Sequence, residues 1–170
     1  MDREYSSFEL QYMTRSAAAE ALRQWQTAIL PIGATEQHGP HLPLGTDTFI
    51  AQHMAILLAE RIKAVVLPTL PLSYSWVWRD IPGSMVLSVD TVKSTIKDVA
   101  HSLHRQGCTR FIVISGHGAN DSAMKYAVRE LADEIPLRTY YFTYPGLEQL
   151  AAKHAETPRW HGMVHACELE

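Results

Sequence analysis

Short apolar runs alternate along this chain with stretches in which apolar residues recur every three or four positions. The runs predict buried strands at residues 27–32, 64–67, 110–114 and 137–142. The recurring stretches predict helices over residues 48–62, 90–105, 121–132 and about 146–154. Continuous apolar strands that alternate with helices predict an α/β fold, a three-layer αβα architecture with a mostly parallel central sheet.

The first two predicted helices each have one specific expected feature. In the first helix the predicted apolar face consists of four residues: Ile50, Met54, Leu57 and Leu58. Asp90 is the expected N-cap of the second helix, because its short carboxylate can accept hydrogen bonds from the first turn.

The segments that follow the first and third predicted strands are polar and rich in glycine. Because ligands bind beyond the carboxyl ends of parallel strands, we expect residues 33–47 and 115–120 to meet at one edge of the sheet. Glu36 and His38 are two residues apart, and in extended backbone such side chains point to the same side. His117 lies between two glycines, which let the backbone pass close to a ligand.

Asp47 lies at the predicted start of a helix, where its carboxylate could bridge two metal ions or simply cap the helix. Mixed histidine and carboxylate ligands are typical of zinc, manganese or iron(II) sites and not of structural thiolate sites. Each residue also has an ordinary explanation when taken alone: a solvated charge for Glu36, or a loop histidine for His117. The spacing by itself leaves the metal site and these ordinary explanations about equally open.

Composition narrows the class of protein. The chain has 170 residues, a formal net charge of −3 and a pI near 6.3, and its lysines and arginines form no cluster that would track phosphates, so no nucleic-acid partner is expected. No apolar run approaches the roughly 18 residues of a membrane span, and the N-terminus does not resemble a signal peptide. Two cysteines cannot form a disulfide framework, which favours reduced thiols in the cytoplasm.

Three segments in order resemble motifs of the creatininase family. They are LPIGATEQHGPHLPLGTD at residues 30–47, ISGHGAN at 114–120 and HACELE at 165–170. The resemblance implies a creatininase-like fold and a metal-dependent amidohydrolase. It also implies one domain over residues 1–170 that lacks the C-terminal portion usual in the family.

The family binds a pair of divalent metal ions, and the resemblance transfers four ligands, the third of them bridging: Glu36, His38, Asp47 and His117. The fifth family ligand is a glutamate whose place varies among members. In creatininase itself that place corresponds to Ala119 here, which argues against creatinine as the substrate. We therefore expect Glu170, which ends the third motif, to be the fifth ligand.

The resemblance further implies that His165 acts as a proton relay. A metal-activated water would attack an amide carbonyl, and His165 would protonate the leaving nitrogen. Trp76 and Trp78 precede the counterpart of a family Pro-Gly-Thr segment and could line a substrate pocket, although core packing or a subunit interface explains them equally well. Cys167 stands where the family often has glycine, so either its thiol lies near the substrate or it is a small buried residue.

The expected activity is hydrolysis of a small cyclic or N-acyl amide by a homo-oligomer, a hexamer by family resemblance. Two alternatives remain at this point. A metallopeptidase or formamide hydrolase could use the same ligands, because the pocket walls determine the substrate. A truncated, non-catalytic metal-binding subunit is the alternative from another class of protein.

Overall fold

The computed structural model describes residues 8–143, 152–154, 156 and 165–166. Four parallel strands form one sheet in the order β2-β1-β3-β4. The strands are β1 (Thr27–Ile32), β2 (Val65–Val66), β3 (Arg110–Ser115) and β4 (Arg138–Thr143). All four predicted strands are confirmed, although the second is shorter than its apolar run. The carboxyl ends of β1 and β3 lie side by side, because Ile32 pairs with Ser115.

Helices cover both faces of this sheet, as the α/β prediction requires. They are α1 (Arg15–Trp25), α2 (Thr46–Ile62), α3 (Val89–Arg105) and α4 (Asp121–Glu134). Helices α1, α3 and α4 enclose the larger core, which includes Leu30, Phe111 and Ile96. Helix α2 encloses a second core on the opposite face, with Ile29 and Ile112. The αβα layering is therefore confirmed. No helix in the described part of the chain is long and apolar enough to cross a membrane.

The predicted apolar face of α2 is wrong in its register. The helix buries its small residues against the sheet, namely Ala51, Ala55 and Ala59. Leu57 is 43% exposed, while Met54 and Leu58 pack only at the margin of the core. The prediction followed the spacing of the bulky apolar side chains. The helix instead turns its alanines towards the sheet, because these small residues let α2 approach the strands more closely.

Two other helix details differ from the predictions, and a third falls largely outside the described residues. Helix α1 was not predicted; Thr14 caps it by accepting a hydrogen bond from the Ala17 N–H. Ser88, and not Asp90, caps α3, because its hydroxyl accepts from the Thr91 N–H. Of the predicted helix at 146–154 only residues 152–154 are described, and they are helical.

Two glycines bring the first turn of α2 against the ends of β1 and β3. A Cβ at Gly33 would overlap the backbone of Thr48, and a Cβ at Gly116 would overlap the carbonyl oxygen of Asp47. Any larger residue would push α2 outward. These close approaches position Asp47 beside the segments that follow both strands.

Candidate metal centre

Four acidic and histidine side chains converge at the carboxyl edge of the sheet. Glu36 and His38 come from the segment between β1 and α2, Asp47 from the first turn of α2, and His117 from the segment after β3. Glu36 is fully buried, and the other three are at most 8% exposed. Buried ionisable groups are rare unless they are paired or bind a metal ion.

His38 is held so that one ring nitrogen faces the cluster. Its Nδ1 lies 3.1 Å from the carbonyl oxygen of Glu36, which can only accept, so Nδ1 donates. In a neutral imidazole the proton on Nδ1 leaves a lone pair on Nε2. That Nε2 lies 3.2 Å from Asp47 Oδ1, so two hydrogen-bond acceptors face each other.

His117 repeats this arrangement with its nitrogens exchanged. Its Nε2 lies 2.9 Å from the carbonyl oxygen of Tyr74 and donates to it. The opposite nitrogen, Nδ1, lies 3.1 Å from Asp47 Oδ2 and 3.3 Å from Glu36 Oε1. In metal sites a histidine ligand commonly donates its other ring N–H to a backbone carbonyl, which fixes the tautomer.

The acceptors between these side chains lack donors. Glu36 Oε1 and Asp47 Oδ2 are buried and accept no hydrogen bond from the described residues. Lone pairs of two imidazoles and two carboxylates therefore meet where either protons or cations must lie between them. The ligand atoms of Glu36, Asp47 and His117 lie within 4.8 Å of one another, as do those of Glu36, His38 and His165. These residues fit divalent metal ions in number, spacing and chemistry.

Burial and charge shift the ionisation of this cluster. Burial raises the pKa of the Glu36 carboxyl, although His117 and the Ser75 hydroxyl oppose the shift. Burial lowers the pKa of His117, but the adjacent Asp47 and Glu36 carboxylates outweigh it and raise the pKa overall. Without a cation, protonation is therefore favoured at the Glu36 carboxyl and at the His117 imidazole.

Asp47 does not cap α2, so that alternative is wrong. The helix begins at Thr46, Gly45 occupies the N-cap position, and no side chain caps it. The Asp47 carboxylate instead turns inward, with Oδ1 towards His38 and Oδ2 towards His117. Its place in the first turn stabilises the negative charge through the helix dipole.

His165 lies beside the cluster, where a residue close to the reacting atoms was expected. Its Nδ1 is 3.4 Å from Glu36 Oε1, and its Nε2 is 3.0 Å from the side-chain nitrogen of Gln37. The ring stacks on Trp78, with centroids 5.0 Å apart and planes inclined by 14°. Burial, and then the charge of His38, lower the pKa of His165.

The remaining predicted site residues have different outcomes. Trp78 is half-buried against His165, whereas Trp76 is 55% exposed and lies under the Arg79 guanidinium at 4.6 Å. Trp78 therefore lies beside the cluster, and a substrate-lining role for either tryptophan stays a prediction. Cys167 and Glu170 lie outside the described residues.

Several residues that orient the ligands were not predicted from the sequence. The Ser75 hydroxyl donates to Glu36 Oε2, and the backbone carbonyl of Tyr74 accepts from His117. Asn120 is fully buried, and its side-chain nitrogen donates to the carbonyl oxygen of Gly33 at 3.3 Å. Ser75 comes from an irregular segment 39 residues after Glu36. A contact of that kind has no local signal in the sequence.

Known proteins place the chain in a family. The creatininase family model, described as creatinine amidohydrolase, matches residues 11–170. The creatinine amidohydrolase of Pseudomonas putida is 32% identical over 130 residues, which cover 71% of this chain and 48% of that protein. The mycofactocin precursor peptide peptidase of Mycobacterium ulcerans (strain Agy99) is 28% identical over 130 residues, covering 70% and 51%.

Solved structures agree with the fold. A crystal structure of creatinine amidohydrolase superposes with a TM-score of 0.81 at 24% identity, covering 95% of this chain and 69% of that one. The chain spans about half the length of the curated relatives it matches. Since the family model matches nearly the whole chain, this protein is a member of the creatininase family.

Proposed function

We propose that this protein is a metal-dependent amidohydrolase that cleaves a C–N bond of a small cyclic or N-acyl amide. One observation carries the proposal: His38 and His117 each donate one ring N–H to a backbone carbonyl and turn the other nitrogen towards buried carboxylates. That arrangement is typical of histidines that bind metal ions. Membership in a family of amide hydrolases supports the chemistry.

The proposed centre holds two divalent ions. Asp47 would bridge them, because its two carboxylate oxygens face different histidines. Glu36 and His117 would complete one position, and His38 would belong to the other, with Glu170 as the fifth ligand. Related solved creatininases include a manganese form and a Zn-Zn form of a variant, which supports zinc or manganese here, and the ligand chemistry also suits iron(II).

When bound, the metal pair would supply an activated water and polarise the amide carbonyl. The chain's own residues would bind and orient the substrate and hold the proton that its leaving nitrogen needs. His165 is half-buried with Nδ1 towards the cluster, so it can hold a proton near the leaving nitrogen. Trp78 would form one wall of the pocket by stacking on that ring.

A metallopeptidase is the second candidate, because one relative is a peptidase that acts on a precursor peptide. Both activities need the same ligands and differ in the pocket walls. Comparing creatinine, formamides, cyclic amides and short peptides as substrates separates them. A substrate that needs peptide residues on both sides of the cleaved bond would favour the peptidase.

The test of the proposal joins metal content to turnover. Purified protein should retain about two divalent ions per chain, lose hydrolysis in chelator and regain it with zinc, manganese or iron(II). His165→Ala should keep the metals but lose turnover by about 100-fold or more, because its proposed role is proton transfer. Hydrolysis that survives complete metal removal would refute the mechanism, and a His165→Ala protein with normal turnover would refute the relay.

We also propose that the protein works as a homo-oligomer, with a hexamer as the expected state. Its described surface exposes large apolar side chains, including Phe49 at 59% and Val77 at 75%. Large exposed apolar side chains such as these are candidates for burial in a subunit interface. Light scattering of the purified protein measures the mass, and a monomer at micromolar concentration would contradict this expectation.

A further inference from the structure

The three imidazoles of the site present different chemistry to its centre. His38 and His117 donate outward to backbone carbonyls and turn ring nitrogens with lone pairs inward. His165 contacts Glu36 through Nδ1 and meets the side-chain amide of Gln37 with its other nitrogen. The orientation of that amide therefore decides which ring nitrogen of His165 carries the proton.

The backbone fixes the orientation of the Gln37 amide. The Gly39 N–H donates to Gln37 Oε1 at 3.0 Å, and a backbone N–H cannot accept, so this atom must be the oxygen. The other amide atom is then the nitrogen, which lies 3.0 Å from His165 Nε2. An amide NH2 only donates, so Nε2 of His165 must accept.

A neutral imidazole that accepts at Nε2 carries its proton on Nδ1. In His165 that is the atom facing Glu36 Oε1 at 3.4 Å. The stack on Trp78 limits rotation of the ring. Gln37 is itself anchored, because its backbone N–H donates to the Ser84 hydroxyl at 3.1 Å. The neighbouring Pro82-Gly83-Ser84 segment thus reaches the site through Gln37.

We propose that Gln37 is a positioning residue that holds His165 with its proton on Nδ1. His165 then presents an N–H to the centre and stays outside the metal ligand set, although its nitrogen lies close enough to Glu36 and His38 to form a cation site. Its role as a donor to the oxygen or nitrogen of the substrate amide rests on the proposed function. A neutral imidazole that gave this proton away would become an imidazolate, so the geometry assigns Nδ1 the role of a hydrogen-bond donor to the substrate.

The proton position can be measured directly in the zinc-loaded full chain. Long-range 1H–15N correlation spectra of protein labelled in histidine separate protonated from unprotonated ring nitrogens, and His165→Ala identifies the signals. We expect an unprotonated Nε2 and a protonated Nδ1 for His165. In Gln37→Glu the carboxylate should accept from both Gly39 and His165, which moves the proton to Nε2.

Gln37→Met tests the consequence for turnover. It keeps the length of the side chain but removes the donor, so we expect kcat to fall about 10- to 100-fold, as for other residues that orient a site from behind, while zinc content stays unchanged. Gln52→Met is the matched control, because Gln52 donates to Glu9 away from the site, at 2.9 Å. The control should leave kcat and the His165 signals unchanged.

Three results would overturn the proposal. They are a wild-type His165 with its proton on Nε2, a His165 nitrogen that shows zinc coordination, and a Gln37→Met protein with normal kcat. Failure of the proposed function is distinguishable from these. A protein that hydrolyses no amide would still report the proton position of His165 in the same spectra.

Discussion

Two clusters of charged and histidine side chains in this protein differ in how their acids are paired. On the outer surface, Lys93 and Lys97 of α3 meet Glu130 of α4 at 3.0 and 2.7 Å. Glu134 accepts from Lys97 at 2.6 Å and from His101 at 3.0 Å. Each acid there has a cation as partner. In the buried cluster, carboxylate oxygens face carboxylate oxygens and ring nitrogens with lone pairs.

The difference shows which cluster is built for stability and which for a ligand. The surface cluster, called the surface ladder, consists of Lys93, Lys97, His101, Glu130 and Glu134. It is partly exposed, so water screens the ion pairs and each pair contributes little to stability. The buried cluster should cost stability in the metal-free protein, because its carboxylates and imidazoles were removed from water and can be satisfied there only by taking up protons. A fold keeps such a cluster where a bound cation offsets the cost, and strained or poorly satisfied groups are concentrated at functional sites.

Loss of metal is the largest effect that this comparison predicts. Asp47→Ala should remove both ions, since its two oxygens face both histidines. Glu36→Ala and His38→Ala should each weaken one position more than the other. Elemental analysis after gel filtration measures the occupancy, with Glu134→Ala as the control from the surface ladder. An Asp47→Ala protein that keeps two ions would show that Asp47 does not bridge.

Metal binding should also stabilise the whole domain. A ligand that binds only the folded state stabilises it by about 4 kcal/mol when its free concentration is roughly 1,000 times Kd. We therefore expect a clear rise in Tm with added zinc, absent in Asp47→Ala and smaller in Glu170→Gln if Glu170 is the fifth ligand. Calorimetry measures it. A Glu170→Gln protein with the full rise would assign the fifth ligand elsewhere.

The sequence predicted those features that depend on neighbours along the chain. The run at 27–32 is apolar after Thr27 and ends before Gly33, and β1 has those bounds. The parallel topology then followed, and it brought Glu36 and His117 to one edge. Helix α1 was missed because its alanine-rich first half shows no apolar stripe, and only Thr14 marked its start.

What sequence could not supply were contacts across long separations. Which ring nitrogen of His117 faces the cluster depends on the carbonyl of Tyr74, 43 residues earlier. The interaction of Gln37 with His165 spans 128 residues. Burial of the alanines in α2 depends on how closely the helix approaches the sheet. The spacing of apolar residues along the sequence does not predict that distance.

In the metal-free protein, at a pH high enough to leave His117 neutral, removing one buried charge should stabilise the fold. Asp47→Asn replaces an acceptor with an NH2 that can donate to the lone pair of His38 or His117. We expect a gain of about 1 kcal/mol, the usual scale for satisfying one buried group, against a loss of about 0.5 kcal/mol from the helix dipole. Urea unfolding in chelator measures the net gain. A destabilised Asp47→Asn protein would mean that the metal-free cluster holds protons that satisfy it.

Substitutions in the surface ladder should change stability the least, and the change should depend on pH. Hydrogen bonds from Lys97, and then from Lys93 or His101, lower the pKa of Glu130 and Glu134 below the ordinary value of 4.5. A group whose pKa is lowered by folding stabilises the protein above its unfolded pKa, and this contribution disappears as pH falls through the folded value. Glu134→Gln should therefore lower the urea midpoint slightly at pH 7, and the difference from wild type should shrink below pH 4.5.

The difference in urea midpoint should also shrink in 1 M salt, where a screening length of about 3 Å leaves little of the attraction in an exposed pair. A difference that persists in acid and in salt would show that Glu134 stabilises through packing, and the contrast between the two clusters would then rest on the buried one alone.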